Sequence, residues 1–240
     1  MAVPIISAVM PHFNQSHLVS NAVMSILNQT IQDWELIIVD DGSEQNHWNK
    51  LRYALEQFND SRIKMYSFEF NHGLVEARTY GNQLSQTEII AVQDADDLSL
   101  PDRFEKCLKA IEDADVVIHG AYINMWDTKF NCITRKYLPP GNPDKKEILK
   151  GQNLTGWPIF RKNVWKEKPY RKETEYMYDW SCHLDWLFSG YTYKAINEGL
   201  YEYVRHENSA SITFEKDGRR AKSREQIKTI MKKEYGQTIL

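Results

Sequence analysis

The sequence predicts an α/β fold in which helices flank a mostly parallel central sheet, with a smaller mixed α/β region in the second half. The first observation is that short apolar runs of strand length alternate with segments of helical periodicity through residues 5–111. Such alternation is typical of a parallel sheet covered on both faces. The second is that polar and acidic side chains directly follow these strands, and the third is a change to longer strand-like runs after residue 112.

The first half contains four predicted strands, at residues 5–10, 35–39, 63–68 and 88–92, each followed by a predicted helix. Ser43 is a candidate N-cap for the second helix, and Pro101 suits the first turn of the fourth. Residues 73–84 form the third helix. Apolar side chains at helical spacing mark the other three, and they are Val19, Ala22, Val23, Ile26, Leu27, Trp48, Leu51, Leu55, Phe58, Phe104, Cys107, Leu108 and Ile111.

The second half has a different pattern. Residues 116–125 and 132–138 are predicted strands around a turn at 127–131, and the loop at 139–143 contains three prolines. A helix is predicted at residues 179–189, followed by two short strands at 191–196 and 200–204. The last stretch, residues 216–233, is strongly basic with a thin apolar stripe formed by Ile227, Ile230 and Met231.

Composition excludes several classes of protein. The 240 residues are 42% hydrophobic, which is enough for a substantial core in one large or two small domains. A net charge of −3 argues against nucleic acid as the main partner. No apolar run approaches the roughly 20 residues of a membrane span, and the N-terminal residues lead straight into a strand without a basic leader. Three cysteines without a Cys-x-x-Cys pair fit a reducing compartment, so a cytoplasmic location is expected.

Three carboxylates, Asp94, Asp96 and Asp97, lie between the fourth strand and the next helix. Uncompensated carboxylates are costly at a strand end, so a positive partner is expected there. Hard oxygen ligands suit Mg²⁺ or Mn²⁺, which proteins usually hold with one or two carboxylates and substrate phosphates. The alternative is a helix N-terminus that merely attracts acidic residues through its dipole.

The polar residues that follow the strands should meet in one crevice. Asn14, Asp40, Asp41 and the acidic segment 94–97 each come just after a predicted strand. In parallel sheets, ligands bind at the carboxyl ends of the strands near the topological switch point. The sequence therefore predicts a single binding site at this edge of the sheet.

Five segments of the chain form a pattern. They are residues 9–14 (VMPHFN), 25–30 (SILNQT), 34–43 (WELIIVDDGS), 71–78 (NHGLVEAR) and 93–97 (QDADD). In this order and at this spacing, they resemble the family-2 inverting glycosyltransferases of the GT-A fold. The resemblance extends from about residue 4 to residue 211. Each segment alone is a weak signal, but five in the family's order form a strong one.

The resemblance implies a set of residues that bind a nucleotide-sugar donor. Phe13, in the loop after Pro11, offers an aromatic face for a pyrimidine base. Asp40, favoured over Asp41, would accept a hydrogen bond from the base or ribose. Arg78 would lie beside the acidic cluster and the diphosphate, where a guanidinium offsets carboxylate repulsion and binds phosphate oxygens. The predicted donor site is completed by Pro11, Asn14, Asp94, Ala95 and Asp96. For Phe13, Asp41 and Arg78, structural roles are the alternatives.

The resemblance also implies a divalent cation, Mn²⁺ or Mg²⁺, that neutralises the departing nucleoside diphosphate. Asp96 would be its main ligand, with Asp94 facing the ribose or Arg78 and Asp97 supporting the loop. Arg205 and His206 begin a segment that resembles a family loop near the diphosphate, so His206 is a further candidate ligand. A solvated strand end is the alternative for both.

Asp179 is the predicted catalytic base. The family usually shows a Glu-Asp pair at the start of a helix in the second half, and its Asp deprotonates the acceptor hydroxyl. Here the pair is Tyr178-Asp179, so the glutamate is missing, and Asp185 is the second choice. An ordinary helix N-cap is the structural alternative for Asp179.

Aromatic side chains in the second half are candidates for acceptor binding, since the apolar faces of sugar rings stack on aromatic rings. Trp157, Tyr178 and Trp180 are the predicted contacts, with core packing as the alternative. The basic C-terminal segment would allow peripheral contact with an anionic membrane, where lipid-linked acceptors reside, although a solvated helix is the favoured interpretation.

Together these implications describe a metal-dependent inverting glycosyltransferase that moves a sugar from a UDP-sugar to a hydroxyl of a glycan, lipid-linked or other acceptor. One domain is expected, with a donor half at residues 1–112, an acceptor half at 113–211 and a basic tail at 212–240. Two alternatives stay open at this point. One is a sugar nucleotidyltransferase, and the other is a non-catalytic module that binds a sugar nucleotide or glycan.

Overall fold

The computed structural model describes residues 3–127, 132–205 and 218–239, and these form one sheet flanked by helices. The first half alternates strands and helices as predicted. Its elements are β1 (Ile6–His12), α1 (Val19–Leu27), β2 (Trp34–Asp40), α2 (Gln45–Phe58), β3 (Ile63–Ser67), α3 (Leu74–Leu84), β4 (Ile89–Val92), β5 (Leu98–Ser99) and α4 (Arg103–Ala110), followed by a 3-10 turn at Ile111–Asp113.

The second half contains longer strands and shorter helices. Its elements are β6 (Val116–Asp127), β7 (Cys132–Leu138), α5 (Lys145–Ile148), β8 (Ile159–Arg161), α6 (Lys162–Glu167), a 3-10 segment at Lys172–Met177, α7 (Tyr178–Phe188), β9 (Tyr193–Arg205) and α8 (Arg219–Tyr235). The predicted strands at 116–125 and 132–138 and the predicted helix at 179–189 are confirmed within two residues.

The sheet has a parallel half and a mixed half. Strands β3, β2, β1 and β4 pair in that order and are all parallel. Strand β8 pairs antiparallel with both β4 and β6 and so joins the two halves. Along β6, one edge pairs in parallel with β9, and the other pairs first with β8 and further along with β7. Strand β3 is at the edge, which explains why it is the most polar of the first four strands.

Two layers of helices cover the sheet because consecutive strand residues point to opposite faces. On one face, Ile6, Ala8 and Met10 of β1 pack with helices α1, α2 and α4. On the other, Val9 packs with α3, α6, α7 and α8. Gly81 of α3 lies so close to β1 that a Cβ there would come within 2.4 Å of Val9 Cγ1. The absence of a side chain is therefore what brings α3 close to the sheet.

Three local predictions from the sequence are wrong in detail. Ser43 does not cap α2, because its backbone N–H and hydroxyl both donate to the carboxylate of Asp40 at 3.0 and 2.6 Å. Pro11 is the penultimate residue of β1 rather than a loop residue. It is tolerated there because β4 pairs only with Ser7, Ala8 and Val9.

The two short strands predicted at 191–196 and 200–204 are one strand, β9. Its pairing with β6 is irregular, since the register shifts on either side of Gly120. Gly199 lies opposite Gly120, and a Cβ on Gly199 would come within 2.3 Å of the Tyr122 ring. A bulge of this kind interrupts the alternation of side chains, so the sequence pattern looks like two strands.

The basic C-terminal segment is a helix that docks on the protein. Ile227 and Met231 are buried, and Ile230 is half-buried. Arg171 makes a bidentate ion pair with Asp185 and a second pair with Glu234 of α8, and Tyr235 also donates to Asp185. The apolar stripe therefore faces the protein core. Within the described ranges, no helix combines the length and the apolar character needed to cross a membrane.

Candidate active site

The acidic loop after β4 is held from behind by a buried polar network. The side-chain amide of Gln93 donates to the backbone carbonyls of Asp94 and Asp97, at 3.0 and 2.9 Å. Arg103, fully buried on α4, donates to Gln93 and Ser99 and to the carbonyls of Val92 and Trp157. The loop is thus fixed at both ends before any ligand binds, which keeps its carboxylates in a defined orientation.

Asp94 connects the two halves of the protein. One carboxylate oxygen accepts from Arg78 at 2.5 Å, and the other accepts from the indole Nε1 of Trp157 at 2.9 Å. Arg78 is completely buried. Burial lowers its pKa, but the nearby Tyr178 and Asp94 outweigh that effect, so the net pKa is raised. The Trp157 ring in turn stacks on Tyr201, with centroids 4.7 Å apart. A charged donor and an indole N–H therefore occupy both oxygens of Asp94.

The next two carboxylates of the loop differ in environment. Asp96 is half-buried, and Gln15 donates to it at 3.4 Å. Asp97 is fully buried and accepts from the backbone N–H of Val204 at 2.9 Å, and its second oxygen has no hydrogen-bond partner. Burial and the charges of Asp96 and Asp94 raise the pKa of Asp97 well above its ordinary value. Asp97 therefore supports the loop from inside, and Asp96 is the more exposed of the two carboxylates.

The loops after β1 and β2 are tied together by side-chain hydrogen bonds. His12 Nδ1 lies 2.7 Å from Asp40 Oδ1, and both residues are buried. Burial raises the pKa of Asp40, but hydrogen bonds from His12 and Ser43 outweigh it, so the net pKa is lowered. Asn14, at a left-handed φ of 55°, donates from its backbone N–H to Ser43 Oγ and accepts from the N–H of Glu44. Asn14 therefore joins the two loops.

Asp41 holds the start of α3. Its carboxylate accepts from the Asn71 side chain and from the backbone N–H groups of His72 and Gly73, at 3.0, 2.7 and 2.9 Å. Burial outweighs these bonds, so the pKa of Asp41 is raised. The predicted donor residues Asp40 and Asp41 thus both have internal partners, and Asp41 orients the helix that carries Arg78.

Phe13 is an exposed aromatic side chain at this edge of the sheet. It is 44% exposed at the end of β1, beyond Pro11, and it follows the buried His12. An aromatic ring left in water at a site lined by carboxylates and an arginine is available for stacking on a base. Its role in binding the base stays a prediction.

Asp179 lies in the first turn of α7, next to the segment that contains Trp157. Its Oδ1 accepts from the N–H of Trp180 at 2.9 Å, and its Oδ2 accepts from the side-chain amide of Gln152. A Cβ on Gly156 would come within 3.1 Å of Oδ2. Burial raises the pKa of Asp179, the N–H of Trp180 and the charge of Arg220 lower it, Asp94 raises it, and the net pKa is raised.

Asp185, the second choice for the base, is buried and has internal partners. The Asp185 carboxylate is 2% exposed and bound by Arg171 and Tyr235. Its place is under α8, where it anchors the helix. Asp179, by contrast, is half-buried, and it lies beside Gly156, the residue that precedes the tryptophan that binds Asp94.

The predicted acceptor contacts of two aromatic residues need correction. Trp180 is 1% exposed and donates from Nε1 to the carbonyl of Ile148, so it belongs to the core. Trp157 is 8% exposed and contacts Asp94 in the donor site rather than an open acceptor surface. Tyr178 is half-buried, with its ring 5.5 Å from the guanidinium carbon of Arg78. His206 lies outside the described residues.

The geometry therefore brings together an arginine, two loop carboxylates and a separate carboxylate with a raised pKa. The sequence of residues 7–187 matches the family model described as glycosyl transferase family 2, which covers most of the chain. The chain belongs to glycosyl transferase family 2. Its GT-A fold agrees with this membership, as the solved structures below show.

Curated relatives of this family-2 chain include bacterial glycosyltransferases. It is 29% identical over 146 residues to the UDP-Glc:alpha-D-GlcNAc-diphosphoundecaprenol beta-1,3-glucosyltransferase WfgD of Escherichia coli, covering 61% of this chain and 55% of that protein. It is 34% identical over 225 residues to the glycosyltransferase GlyG of Streptococcus pneumoniae, covering 87% and 73%. For several curated relatives, including WfgD, the chain spans about half to three-fifths of the relative's length.

Solved structures with the same fold are distant in sequence. TarS of S. aureus, residues 1–349 in complex with UDP-GlcNAc, superposes with a TM-score of 0.68 at 15% identity, covering 86% of this chain and 60% of that one. The mannosyltransferase PcManGT of Pyrobaculum calidifontis, in complex with GDP-Man and Mn²⁺, superposes with a TM-score of 0.63 at 16% identity, covering 88% and 59%. These similarities establish the GT-A fold.

The oxygen ligands at the site fit a divalent cation that would be held mainly by the phosphates of a substrate. Among the described residues, no group of three or more His, Cys, Asp and Glu side chains is arranged to share a metal ion. A full cage is unnecessary, because Mg²⁺ and Mn²⁺ sites commonly combine one or two carboxylates with phosphates and water. Asp96 would supply such a carboxylate, and both oxygens of Asp94 accept hydrogen bonds from Arg78 and Trp157.

Several residues that build the site were not predicted from the sequence. The Gln152 side chain donates to Asp179. The Glu175 carboxylate lies at the start of α3, where a Cβ on Gly73 would collide with it. Gln93 and Arg103 support the acidic loop. Gln93 belongs to the motif QDADD, so the sequence does indicate that it lies next to the acidic loop. Gln152, Glu175 and Arg103 lie outside the quoted segments, and only the fold brings them to the site.

Proposed function

We propose that this family-2 protein is a metal-dependent inverting glycosyltransferase that uses a nucleoside diphosphate sugar, with UDP-sugars favoured. The supporting observation is the continuous set of contacts from Arg78 through Asp94 and Trp157 to Gly156 and Asp179. A buried arginine–carboxylate pair and a candidate base are thereby connected across the sheet. The structures with UDP-GlcNAc and with GDP-Man and Mn²⁺ support the donor class by analogy of fold.

The donor half, residues 1–112, would bind the nucleotide at the carboxyl ends of β1, β2 and β4. Phe13 stacks on the base, and Asp40 and Asn14 shape the loops around the base and ribose. Arg78 and Asp96 lie at the diphosphate, with Arg78 offsetting its charge. A divalent cation, Mn²⁺ or Mg²⁺, held by Asp96 would supply further charge neutralisation for the leaving diphosphate.

The acceptor half, residues 113–211, would present the attacking hydroxyl to Asp179. One oxygen of its carboxylate takes the hydroxyl proton as the acceptor oxygen attacks C1 of the sugar. The bond from C1 to the diphosphate oxygen breaks on the opposite face, and its electron pair leaves with the nucleoside diphosphate. The configuration at C1 is inverted. Positioning and electrostatic stabilisation of the diphosphate provide the rate enhancement.

The acceptor would be a hydroxyl of a glycan, free or lipid-linked, and the sugar moved a hexose or N-acetylhexosamine. WfgD, by its name, acts on a GlcNAc-diphosphoundecaprenol acceptor, which supports the lipid-linked class. Contact with an anionic membrane would come from basic side chains of α8, because its apolar residues Ile227 and Met231 are buried against the protein.

One observation favours a second candidate, a non-catalytic module that binds a sugar nucleotide. Tyr178 stands where the family usually has a glutamate, and its ring packs 5.5 Å from Arg78. The loss of a carboxylate beside the base could remove transfer and leave donor binding. A sugar nucleotidyltransferase is disfavoured, since Asn14 ties the loop after β1 to Ser43 and Glu44, and that loop has no Arg or Lys.

Calorimetric titration with UDP, GDP, dTDP and CDP, each with Mn²⁺ and then with chelator, tests the donor site. We expect one diphosphate to bind with Mn²⁺ and to lose most of its affinity with chelator or in Asp96→Ala. Asp113→Ala, which removes an acidic side chain remote from the site, is the matched control. Equal binding in all conditions, or none for any nucleotide, would contradict the proposal, and release of pyrophosphate from a nucleoside triphosphate and a sugar phosphate would favour the nucleotidyltransferase.

A further inference from the structure

The start of helix α8 lies at the candidate base, although α8 follows the region that matches the family model. That match ends at residue 187, and α8 begins at Arg219. Arg220 donates from its guanidinium to Gln152 Oε1 at 2.8 Å, and the amide nitrogen of the same Gln152 side chain donates to Asp179 Oδ2. Gln152 therefore bridges an arginine of the C-terminal helix and the carboxylate of the base.

The two oxygens of Asp179 are fixed by different donors. The backbone N–H of Trp180 holds Oδ1 at 2.9 Å, and the amide of Gln152 holds Oδ2. A carboxylate held at both ends cannot rotate freely, so its remaining lone pairs point in defined directions. Because Oε1 of Gln152 accepts from Arg220, its amide group is turned so that nitrogen faces Asp179. Arg220 thereby determines which end of Gln152 meets the base.

Charged and titratable groups reach Asp179 from each element packed around it. Arg220 comes from α8, and its charge lowers the pKa of Asp179. Asp94 comes from the loop after β4, and its charge raises it. Tyr178 and Cys182 belong to α7 itself and interact with the Asp179 charge. Two further arginines of α8 stack nearby, Arg219 on Tyr176 and Arg224 on Trp180.

We propose that Gln152 and Arg220 are positioning residues for Asp179, and that helix α8 is thereby part of the active site. Gln152 aims the carboxylate, and Arg220 orients Gln152 and favours the ionised state that a base requires. The proposal rests on the proposed base role of Asp179 and adds two residues to that function. Neither residue touches the reacting atoms.

Nuclear magnetic resonance of the carboxyl carbons in the full chain tests the proposal without requiring turnover. The Asp179 signal is assigned by its disappearance in Asp179→Asn and is then followed from pH 3 to pH 9. We expect Arg220→Gln and Gln152→Leu to shift its titration midpoint upward, because each removes stabilisation of the carboxylate. Arg220→Lys keeps the charge and should keep most of the wild-type midpoint.

Lys228→Gln is the matched control, since it removes one positive charge from the same helix at a residue paired with Glu225. Its Asp179 midpoint should equal that of the wild type. A midpoint in Arg220→Gln that matches the wild type, or one that Lys228→Gln moves equally far, would overturn the proposal. Thermal unfolding of each variant establishes that the folded protein is being titrated.

Kinetics separate this proposal from the base assignment. With a turned-over acceptor, Gln152→Leu should lower kcat by about 10²-fold, as expected for a misplaced catalytic group, with little change in the donor KM. Arg220→Gln should shift the acidic limb of the kcat/KM profile to higher pH. Full transfer activity in Asp179→Asn would reject Asp179 as base even if the titration shifts occur, whereas unchanged pH limbs with an inactive Asp179→Asn would reject only the positioning roles.

Discussion

At the scale of single residues, the carboxylate of Asp179, the proposed base, has a cost to folding. Burial raises the pKa of its carboxyl despite the N–H of Trp180 and the charge of Arg220. A carboxyl whose pKa is higher in the folded state stabilises the fold when protonated, below its unfolded pKa. That contribution is lost as the pH rises through the folded pKa. At neutral pH the ionised base therefore lowers the free energy of unfolding.

Replacing Asp179 by Asn should abolish transfer and raise stability at neutral pH. The amide cannot accept the hydroxyl proton, but its oxygen can still accept one of the hydrogen bonds from Trp180 and Gln152. Nucleotide binding should be unchanged. Transfer assays, calorimetry and thermal unfolding at pH 7 and pH 4 measure the three effects, and the stability gain should shrink at pH 4. A variant that is less stable than the wild type at pH 7 would contradict the burial argument.

The same scale shows which site residues the sequence could predict. Arg78, Asp94 and Asp96 were identified because they belong to quoted motifs, and they do lie together. Ser43 was expected to cap α2, but the carboxylate of Asp40 competes for both of its donors. Trp180 was expected to face acceptor, but the periodicity of α7 turns it inward. A motif records residue type, whereas competing partners and rotation are fixed by the fold.

At the scale of elements, helix α8 docks on a partly buried ion pair between Arg171 and Asp185, through Tyr235 and Glu234. Arg171 binds Asp185 through two bonds of 2.6 and 3.0 Å, and the side chains are 20% and 3% exposed. Removing one partner of a buried pair leaves a charge without compensation, which typically costs 3–5 kcal/mol. Arg171 also reaches Glu234 of α8, so the loss would affect helix docking as well.

We expect Arg171→Met to lower the free energy of unfolding by about 3 kcal/mol, near the low end for buried pairs because water reaches part of the arginine. Arg52→Met is the matched control. It breaks a pair with Glu56 whose side chains are 53% and 61% exposed, so it should change stability by less than about 1 kcal/mol. Urea denaturation measures both variants. Equal losses in the two would mean that Asp185 gains little from Arg171.

Elements were predicted well where one periodicity held throughout. Strands β1, β2 and β4 and helix α3 lie within two residues of their predicted positions. The bulge beside Gly120 divided β9 in the sequence pattern, and the short elements β5, α5 and α6 were not predicted. Helix α5 has four residues, capped by the carboxylate of Asp144, which is too short for a periodic signal.

At the scale of the whole molecule, donor binding should be felt in both halves of the chain. The Asp94 carboxylate accepts from Arg78 of α3 and from Trp157, which immediately precedes Pro158 and β8. We therefore expect a ligand that binds beside Asp94 to restrain residues 152–157 as well. Because β8 lies between β4 and β6 in the sheet, the path from the acidic loop to the second half of the chain is short.

Hydrogen exchange with and without the calorimetrically identified diphosphate and Mn²⁺ would measure this coupling. We expect slower exchange in the loops after β1, β2 and β4, and also in residues 152–157. Trp157→Phe, which keeps the stacked ring on Tyr201 but removes the Nε1 donor, should confine the protection to the first half. Chelator in place of Mn²⁺ is the control. Protection restricted to residues 1–112 in the wild type would contradict the prediction.

The dipeptide Gly156–Trp157 has a consequence for engineering the enzyme. The Trp157 indole binds the carboxylate of Asp94, and Gly156 leaves room for the carboxylate of Asp179. Two consecutive residues therefore set the distance between the proposed donor and acceptor sites. Exchanging the segments on either side of Gly156–Trp157 for those of another family member should therefore leave this distance unchanged. A chimera that retains residues 156–161 and β4 should inherit the spacing, which leaves the recognition of a new acceptor as the variable to be designed.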